Sequence, residues 1–316
     1  MTSTRRVTSV GCGRGTGPHD TGAASPLPSR VNGFGAAISR PFRGAGHTRR
    51  LNNDGVPIGS ELDSSAHLAG TYVIAPVAGG CADNEYLAGP TGGTLSAAAV
   101  DAVVQRAVVA AKKTRAVIRL PLNSYARMVI AVADLNGSIL ALYRMPDASV
   151  FSIDVAVAKA RNVVWFSGAG RGDLGIPAGT AVSNRTISFG AEPLYPPGID
   201  SKVFKVGSGP FYPLFLHDLA NACSQGSQPP TVNQNGIVFF AGSTPLYLNG
   251  NLVGGLGVSG DGIEQDDYVT YLGAGPLLPP ANRWADQLKV NGARLPMFKF
   301  PRVPEGVTEC AGKPCS

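Results

Sequence analysis

Residues Gly255 to Gly260, "GLGVSG", carry the spacing G-x-G-x-x-G. That pattern wraps a dinucleotide pyrophosphate when it opens a helix whose bare N–H groups face the phosphates. Here the residues that follow include Asp261, Glu264, Asp266 and Asp267. Four carboxylates at that terminus would repel a pyrophosphate and already hold the position the helix dipole favours for an anion. The stretch also follows a hairpin and not the first strand of a βαβ unit, so dinucleotide binding is set aside. Gly254, Gly255 and Gly257 leave the strand nearly bare of side chains, so a flat ligand or another backbone can approach it closely. Tight packing with no ligand explains the same glycines equally well. The segment is not a nucleophile elbow, because Asp261 stands where G-x-S-x-G requires glycine.

Other residues could carry chemistry. His217 lies in "YPLFLHDLANAC", an apolar stretch able to line a pocket. His217, Asp218 and Cys223 are close in sequence, but nearness along the chain is no catalytic geometry. Lys159 and Arg161 read as a solvated helix edge or as an anion-binding pair. Asp134-Leu135-Asn136-Gly137 opens like a calcium loop, but the later acidic ligands are missing, so a turn is the better reading. Arg171-Gly172-Asp173 is a chance tripeptide until a partner is shown. The five cysteines, Cys12, Cys81, Cys223, Cys310 and Cys315, contain no C-x-x-C pair, and histidine is scarce, which argues against a zinc site. A bridge between Cys310 and Cys315, or from the tail to Cys223, would suit an oxidising compartment; free thiols are the alternative.

The elements that must position these residues are legible in part. "TLSAAAVDAVVQRAVVAAKKTRA" opens with a Thr94 or Ser96 cap, repeats apolar residues at helical spacing and ends in Lys112, Lys113 and Arg115. Met128–Ala133 and Ser138–Tyr143 form a hairpin, with Asn136-Gly137 supplying positive φ angles. A second helix spans about Ser149 to Phe166. Residues 167–235, rich in Gly, Pro and Ser, read as a long irregular insertion. Ile237–Ala241 reads as a strand. Pro245–Leu248 and Leu252–Val258 form a second hairpin around Asn249-Gly250, and a third helix runs near Glu264 to Leu272. The order α-β-β-α-insertion-β-β-β-α predicts an α+β domain: an antiparallel five-stranded sheet covered by helices.

Bulk properties bound the rest. The net charge of +6 is local: residues 1–50 hold eight arginines and one acid, Asp20, so the other 266 residues sum to about −1. No aromatics are interleaved with those arginines, which argues against nucleic-acid binding. Residues 1–90 read as a disordered or poorly ordered arm, 91–274 as the domain and 275–316 as a C-terminal extension. No secretory signal is visible near Arg5 and Arg6, and no run of about twenty apolar residues is present to span a bilayer. "VAGGC", ending at Cys81, is only a loose match to a lipidation site. The compartment is expected to be periplasmic or extracellular, with the cytoplasm as the alternative.

Several of these stretches together resemble one family. Asp134 and Gly137 of the first hairpin, Arg144 and Ala148, Lys159-Ala160, and Gly255 to Asp267 occur in the order found in the GlcG/HbpS-like haem-binding (haem-degrading) domains. That family includes the C-terminal domain of PduO-type cobalamin adenosyltransferases. The likeness covers about 95–166 and 236–274. It implies an α+β sheet domain, association with haem or another small-molecule ligand, and frequent homo-oligomers; it settles no activity. Haem iron takes His, Met, Cys or Tyr as an axial ligand. Helix 95–115 has none of these, leaving His217 as the first metal-ligand candidate, with Met128, Met145, Tyr143 and Tyr247 behind it. Lys159 or Arg161 would hold a propionate, while Gly255, Gly257 and Tyr247 would line the cofactor site. A ligand-binding or sensing role ranks first. A structural assembly module using the acidic helix and glycine strand ranks second. A haem-degrading or small-metabolite enzyme ranks third, since no nucleophile–base pair stands out.

Overall fold

Five strands form one antiparallel sheet: β1 (Tyr86–Ala88), β2 (Val129–Ala133), β3 (Ile139–Arg144), β4 (Ser243–Leu248) and β5 (Asn251–Ser259), in the spatial order β1-β3-β2-β5-β4. The computed structural model describes residues 86–120, 122–168, 172–193, 208–221, 224–229, 233–290, 293–307, 309–310 and 313–314. Up to Glu85 the expected arm lies outside them, as do Cys223, Cys315 and the side chain of Cys310, on which the expected disulfides depend.

The helices are α1 (Ala97–Lys113), α2 (Ser152–Ser167), α3 (Asn184–Gly190), α4 (Tyr212–Ala220) and α5 (Ile263–Ala274). Side chains on a strand alternate between its faces, and β5 shows what each face meets. A Cβ at Gly255 or Gly257 would touch α2, whereas the Leu256 side chain lies beside Gly273 of α5, which also meets Ala107 of α1. The central sheet is therefore sandwiched, with α2 on one face and the α1–α5 pair on the other. That double burial explains why β2 reads Val-Ile-Ala-Val-Ala with every residue buried, instead of alternating apolar and polar residues.

The predicted α+β class and antiparallel five-stranded sheet are present, but one strand is a different one. Ile237–Ala241 is not in the sheet. Side chains take the backbone groups at its start: Ile237 N–H donates to Asp218, Val238 N–H donates to Asn162 Oδ1, and Val238 C=O accepts from Asn184 Nδ2. With its groups taken in this way, the segment needs no strand partner. The fifth strand is instead β1, which lies within the stretch assigned to the arm. Three residues are too few to display a period. β1 is held by side chains, with Tyr86 edge-on to Tyr143 at 5.1 Å and its hydroxyl donating to Asp101 at 2.5 Å.

The two hairpins turn differently. Asn249 and Gly250 both have positive φ, as a tight two-residue turn requires. In the first hairpin only Gly137 does; Asp134 Oδ1 accepts from the N–H groups of Asn136 and Ser138 and stabilises a longer turn beside a bulge. The Ser96 hydroxyl caps α1, accepting from Ala99 N–H at 3.2 Å.

The insertion is less irregular than its composition suggests. It contains α3, opened by a capping box between Ser183 and Thr186, and α4, with a proline in its first turn. Phe166, Ile187, Phe211, Leu214, Tyr247, Leu295 and Met297 share one buried cluster, so α2, the insertion, β4 and the C-terminal extension pack around a common core.

Candidate functional site

Helix α2 joins every part of the candidate site. Lys159 lies on it, fully buried, with Nζ donating to Val258 C=O at 2.7 Å and to Asp266 Oδ2 at 3.0 Å. This corrects the expectation of a solvated helix edge. A cation is hidden because its partner waits on α5, a sequence separation that no helical period reveals. Gly242, at φ +114°, leaves the necessary room: a Cβ there would come within 2.7 Å of Nζ.

Lys159 is one of three little-exposed cations that converge on Asp261, Asp266 and Asp267 at the acidic start of α5; a fourth, the exposed Lys299, pairs with Glu264. Asp261 pairs with Arg119 and accepts from Arg127 N–H at 2.7 Å. Asp267 pairs with Arg185 of α3 and accepts from the N–H groups of Gly242 and Lys299. Burial pushes Asp266 up to about 7 against the pull of Lys159, and Asp267 up to about 6 against that of Arg185. Burial likewise lowers Lys159, opposed by Asp266. Asp261 and Asp267 are thereby tied into the fold, while Asp266 keeps one buried oxygen, Oδ1, without a partner among the described residues.

The glycines of β5 also have an internal use. A Cβ on Gly255 would lie 2.2 Å from Ala160 O, and one on Gly257 would lie 2.1 Å from Ala156 O. Of the two readings left open by the sequence, the geometry is that of backbone approach by α2. Neither glycine lines either of the two clefts described next.

Two clefts do open along α2. One, of about 460 Å³, is lined by residues including Arg161, Trp165, Gln228 and Asn233; its neighbour, of about 480 Å³, includes Tyr247, Leu252 and Arg283. They share Leu135, Val164 and Gly168. Of the residues expected at a site, Arg161 and Tyr247 are thus brought to adjoining clefts. Arg161 is heavily engaged: Nε donates to Gly137 C=O at 2.7 Å, and the other two nitrogens donate to Asn235 and Asn233. It ties the hairpin to the insertion and contributes only its edge to the cleft. Tyr247 is buried, and the Arg283 guanidinium lies 5.8 Å from its ring centre.

His217 lies on the exposed side of α4 and lines neither cleft. Met128, Met145 and Tyr143 are buried in the core and line neither as well. Sequence reasoning missed Trp165, Leu135 and Arg283. For Trp165 a signal existed, because it follows Arg161 by four residues and so shares its helix face. Leu135 was seen only as part of a turn, and Arg283 belongs to a tail with no local pattern. The Trp165 indole N–H is buried without a partner among the described residues. Those residues contain no cluster of three metal-ligating side chains and no helix long and apolar enough to cross a membrane.

A sandwiched antiparallel sheet, a buried lysine and glycines under α2 define the class of domain, and comparison with known proteins identifies it. The family described as haem degrading protein HbpS-like matches residues 95–274, and the chain belongs to that family. Among curated proteins it is similar to the corrinoid adenosyltransferase PduO of Citrobacter freundii, 28% identical over 156 residues that make up 48% of this chain and 33% of that protein. It is also similar to a 15.0 kDa protein encoded between dhaT and dhaS in Citrobacter freundii, 29% identical over 160 residues covering 50% of this chain and 82% of that one. The chain thus spans about a third of the length of the adenosyltransferase it matches. Among solved structures, a PduOC–heme complex is 22% identical, covering 57% of this chain and 92% of that one with a TM-score of 0.36. A Streptomyces reticuli HbpS double mutant is 19% identical, covering 59% and 89%, with a TM-score of 0.35.

Proposed function

We propose that this domain binds a small, flat, partly anionic ligand, with haem the first candidate, in the two clefts that meet at Leu135, Val164 and Gly168. The observation that carries the reading is their continuity: together they form an apolar floor with aromatic edges and a cation at one end. Membership of a family described as haem-degrading supports the choice of ligand.

The lining suits such a molecule. Leu135, Val164, Leu252 and Trp165 offer apolar contact, and exposed Arg283 can meet a carboxylate. Among the described lining residues, Tyr247 is the one side chain of a type that ligates haem iron. Bound haem supplies a redox-active iron. The chain's part would be to hold it: Arg283 would anchor an acidic edge, Tyr247 would offer a phenol oxygen, and the apolar floor would exclude water. Lys159 has no part in this, since its ammonium is already satisfied within the fold.

The test is a haemin titration followed by absorption. The wild type should give a shifted Soret band. Tyr247→Phe should move that band or weaken binding, and His217→Ala should leave it unchanged. The reverse pattern would return ligation to α4. A wild type that leaves the haemin spectrum unaltered would remove haem as the ligand.

A further inference from the structure

We propose that Lys159 is a reactive amine that forms an imine with a small aldehyde or ketone, admitted when the Phe240 ring swings aside. The surroundings supply the three parts such a site needs: a buried amine, a carboxylate beside it and a movable cover. Lys159 Nζ lies 3.0 Å from Asp266 Oδ2, with both side chains almost wholly out of solvent. The Phe240 ring lies over the ammonium, its centre 5.0 Å from Nζ, and Phe240 is itself 40% exposed. The ring thus covers the amine from the solvent side.

The cover is loosely held. Ile237 and Val238 are fastened by Asp218, Asn162 and Asn184, and Gly242 by Asp267 and Val258. Between these anchors, no hydrogen bond among the described residues fastens the backbone of Phe239, Phe240 or Ala241. Gly236 and Gly242, at φ +77° and +114°, bracket the stretch. Phe239 packs edge-on against Phe215 at 5.2 Å, which leaves Phe240 as the ring able to move. Opening so short a segment costs far less than unfolding the domain.

The pair beneath is poorly explained as a structural device. A buried lysine–aspartate pair stabilises a fold little compared with apolar residues of the same volume. This one also leaves Asp266 Oδ1 buried with no partner among the described residues, a further cost. Both features suit a reacting carbonyl. Burial lowers the Lys159 pKa and so favours the nucleophilic neutral amine; Asp266 and Asp267 oppose that shift, and Arg185 aids it. Asp266 Oδ2 takes the proton that Lys159 gives up. The nitrogen lone pair bonds to the carbonyl carbon, and the C=O π pair moves to oxygen. A proton passes from nitrogen to that oxygen, giving a carbinolamine whose hydroxyl can donate to the idle Oδ1. Asp266 then returns its proton to the hydroxyl, the C–O bond breaks, water leaves, and the nitrogen pair closes the C=N bond. A protonated imine facing the Asp266 carboxylate restores the original charge pair, with no oxidation or reduction. The room available is what Phe240 vacates beside Gly242, where a Cβ would come within 2.7 Å of Nζ, so the carbonyl compound is no bulkier than the ring.

Lys159, Asp266 and Phe240 line neither cleft, so this site and the haem reading fail separately. The full chain, without haemin, is incubated near neutral pH with acetaldehyde and sodium cyanoborohydride, which reduces an imine to a stable secondary amine. Peptide mass spectrometry then locates the ethyl groups. Lys159 should be labelled ahead of the exposed Lys299. Phe240→Ala should speed labelling of Lys159 on the order of tenfold while Lys299 keeps its rate. Asp266→Asn should slow it; should that variant fail to fold by circular dichroism, the wild type and Phe240→Ala decide alone. Gly250→Ala, which strains a remote turn, should leave the rate unchanged. A Lys159 that stays unlabelled in the wild type and in Phe240→Ala while Lys299 reacts overturns the proposal. So does a Lys159 rate indifferent to Phe240→Ala, or one that Gly250→Ala raises equally, since the amine would then be reached by general unfolding.

Discussion

Lys159 and Asp266 illustrate how much a single buried pair can control. Removing one partner leaves the other charge without compensation in a site closed to solvent. Lys159→Met should therefore destabilise the fold by about 3–5 kcal/mol near pH 8, read from denaturant unfolding. At pH 5 the loss should be smaller, because Asp266 can take a proton. The wild type carries a related signature. Asp266, facing Lys159, Asp267 and Asp261, has a folded pKa of about 7, and Asp267 one of about 6; both lie well above the value of ~3.9 expected for an unfolded aspartate. Between those limits the folded chain keeps protons that the unfolded chain has released. Their contribution to stability is full below about pH 4 and is lost as pH rises through 6 to 7. Lys159, lowered by the same burial, acts in the opposite sense on the alkaline side, where stability rises with pH until the unfolded amine loses its proton. Asp266→Asn should flatten the acidic-to-neutral slope of the unfolding free energy. An unchanged slope would show that Asp266 ionises normally. The sequence exposed these residues as an acidic run and a Lys-Ala pair. It did not show that they meet, because the contact spans 107 positions.

At the scale of elements, the strongest constraint is the approach of α2 to β5. Gly257→Val would drive an isopropyl group into Ala156 C=O and Ala160 N–H, costing about 1–3 kcal/mol or more. Gly250→Ala is a useful contrast. Its Cβ would meet nothing within 4 Å, so only the backbone strain of φ +78° remains, at about 1 kcal/mol. Thermal denaturation of the two variants should rank them in that order; equal losses would mean that the helix can slide away. Elements with a strong period were readable: α1 by its cap and apolar stripe, and both hairpins by Asn-Gly. Ile237–Ala241 misled because a β-rich composition does not say whether backbone partners will be strands or amide side chains. β1 was too short to signal at all.

For the molecule as a whole, the question is how the insertion is fastened. Asn162 on α2 donates to Gln225 at 2.7 Å and to Gly236 C=O at 2.9 Å, while accepting from Asn184 and from Val238 N–H. Asn162→Leu would leave these buried partners unmatched, at about 1–3 kcal/mol for each group stranded. Hydrogen exchange should then speed up in 224–240 and α3 while the β2–β5 ladder stays protected. Uniform acceleration would show that the insertion and sheet open together. None of this fastening was legible, since an insertion poor in period and rich in small residues reads as loose wherever its anchors lie on another element. For the clefts, the sequence supplied Tyr247 and Arg161, but not the turn and tail residues that complete the walls.

The three little-exposed cations at the start of α5 come from the 117–122 loop, from α2 and from the insertion helix α3. An editor of this gene would meet the consequence at once. Cutting out the insertion removes Arg185 and leaves Asp267, fully buried, without its ion-pair partner and with only the more distant pull of Lys159, which is already paired with Asp266. The trimmed chain would be handicapped at a position 82 residues from Arg185. Shortening this domain thus requires two edits made together, the excision and a neutral residue at 267, because one turn of helix records the presence of a segment far from it in sequence.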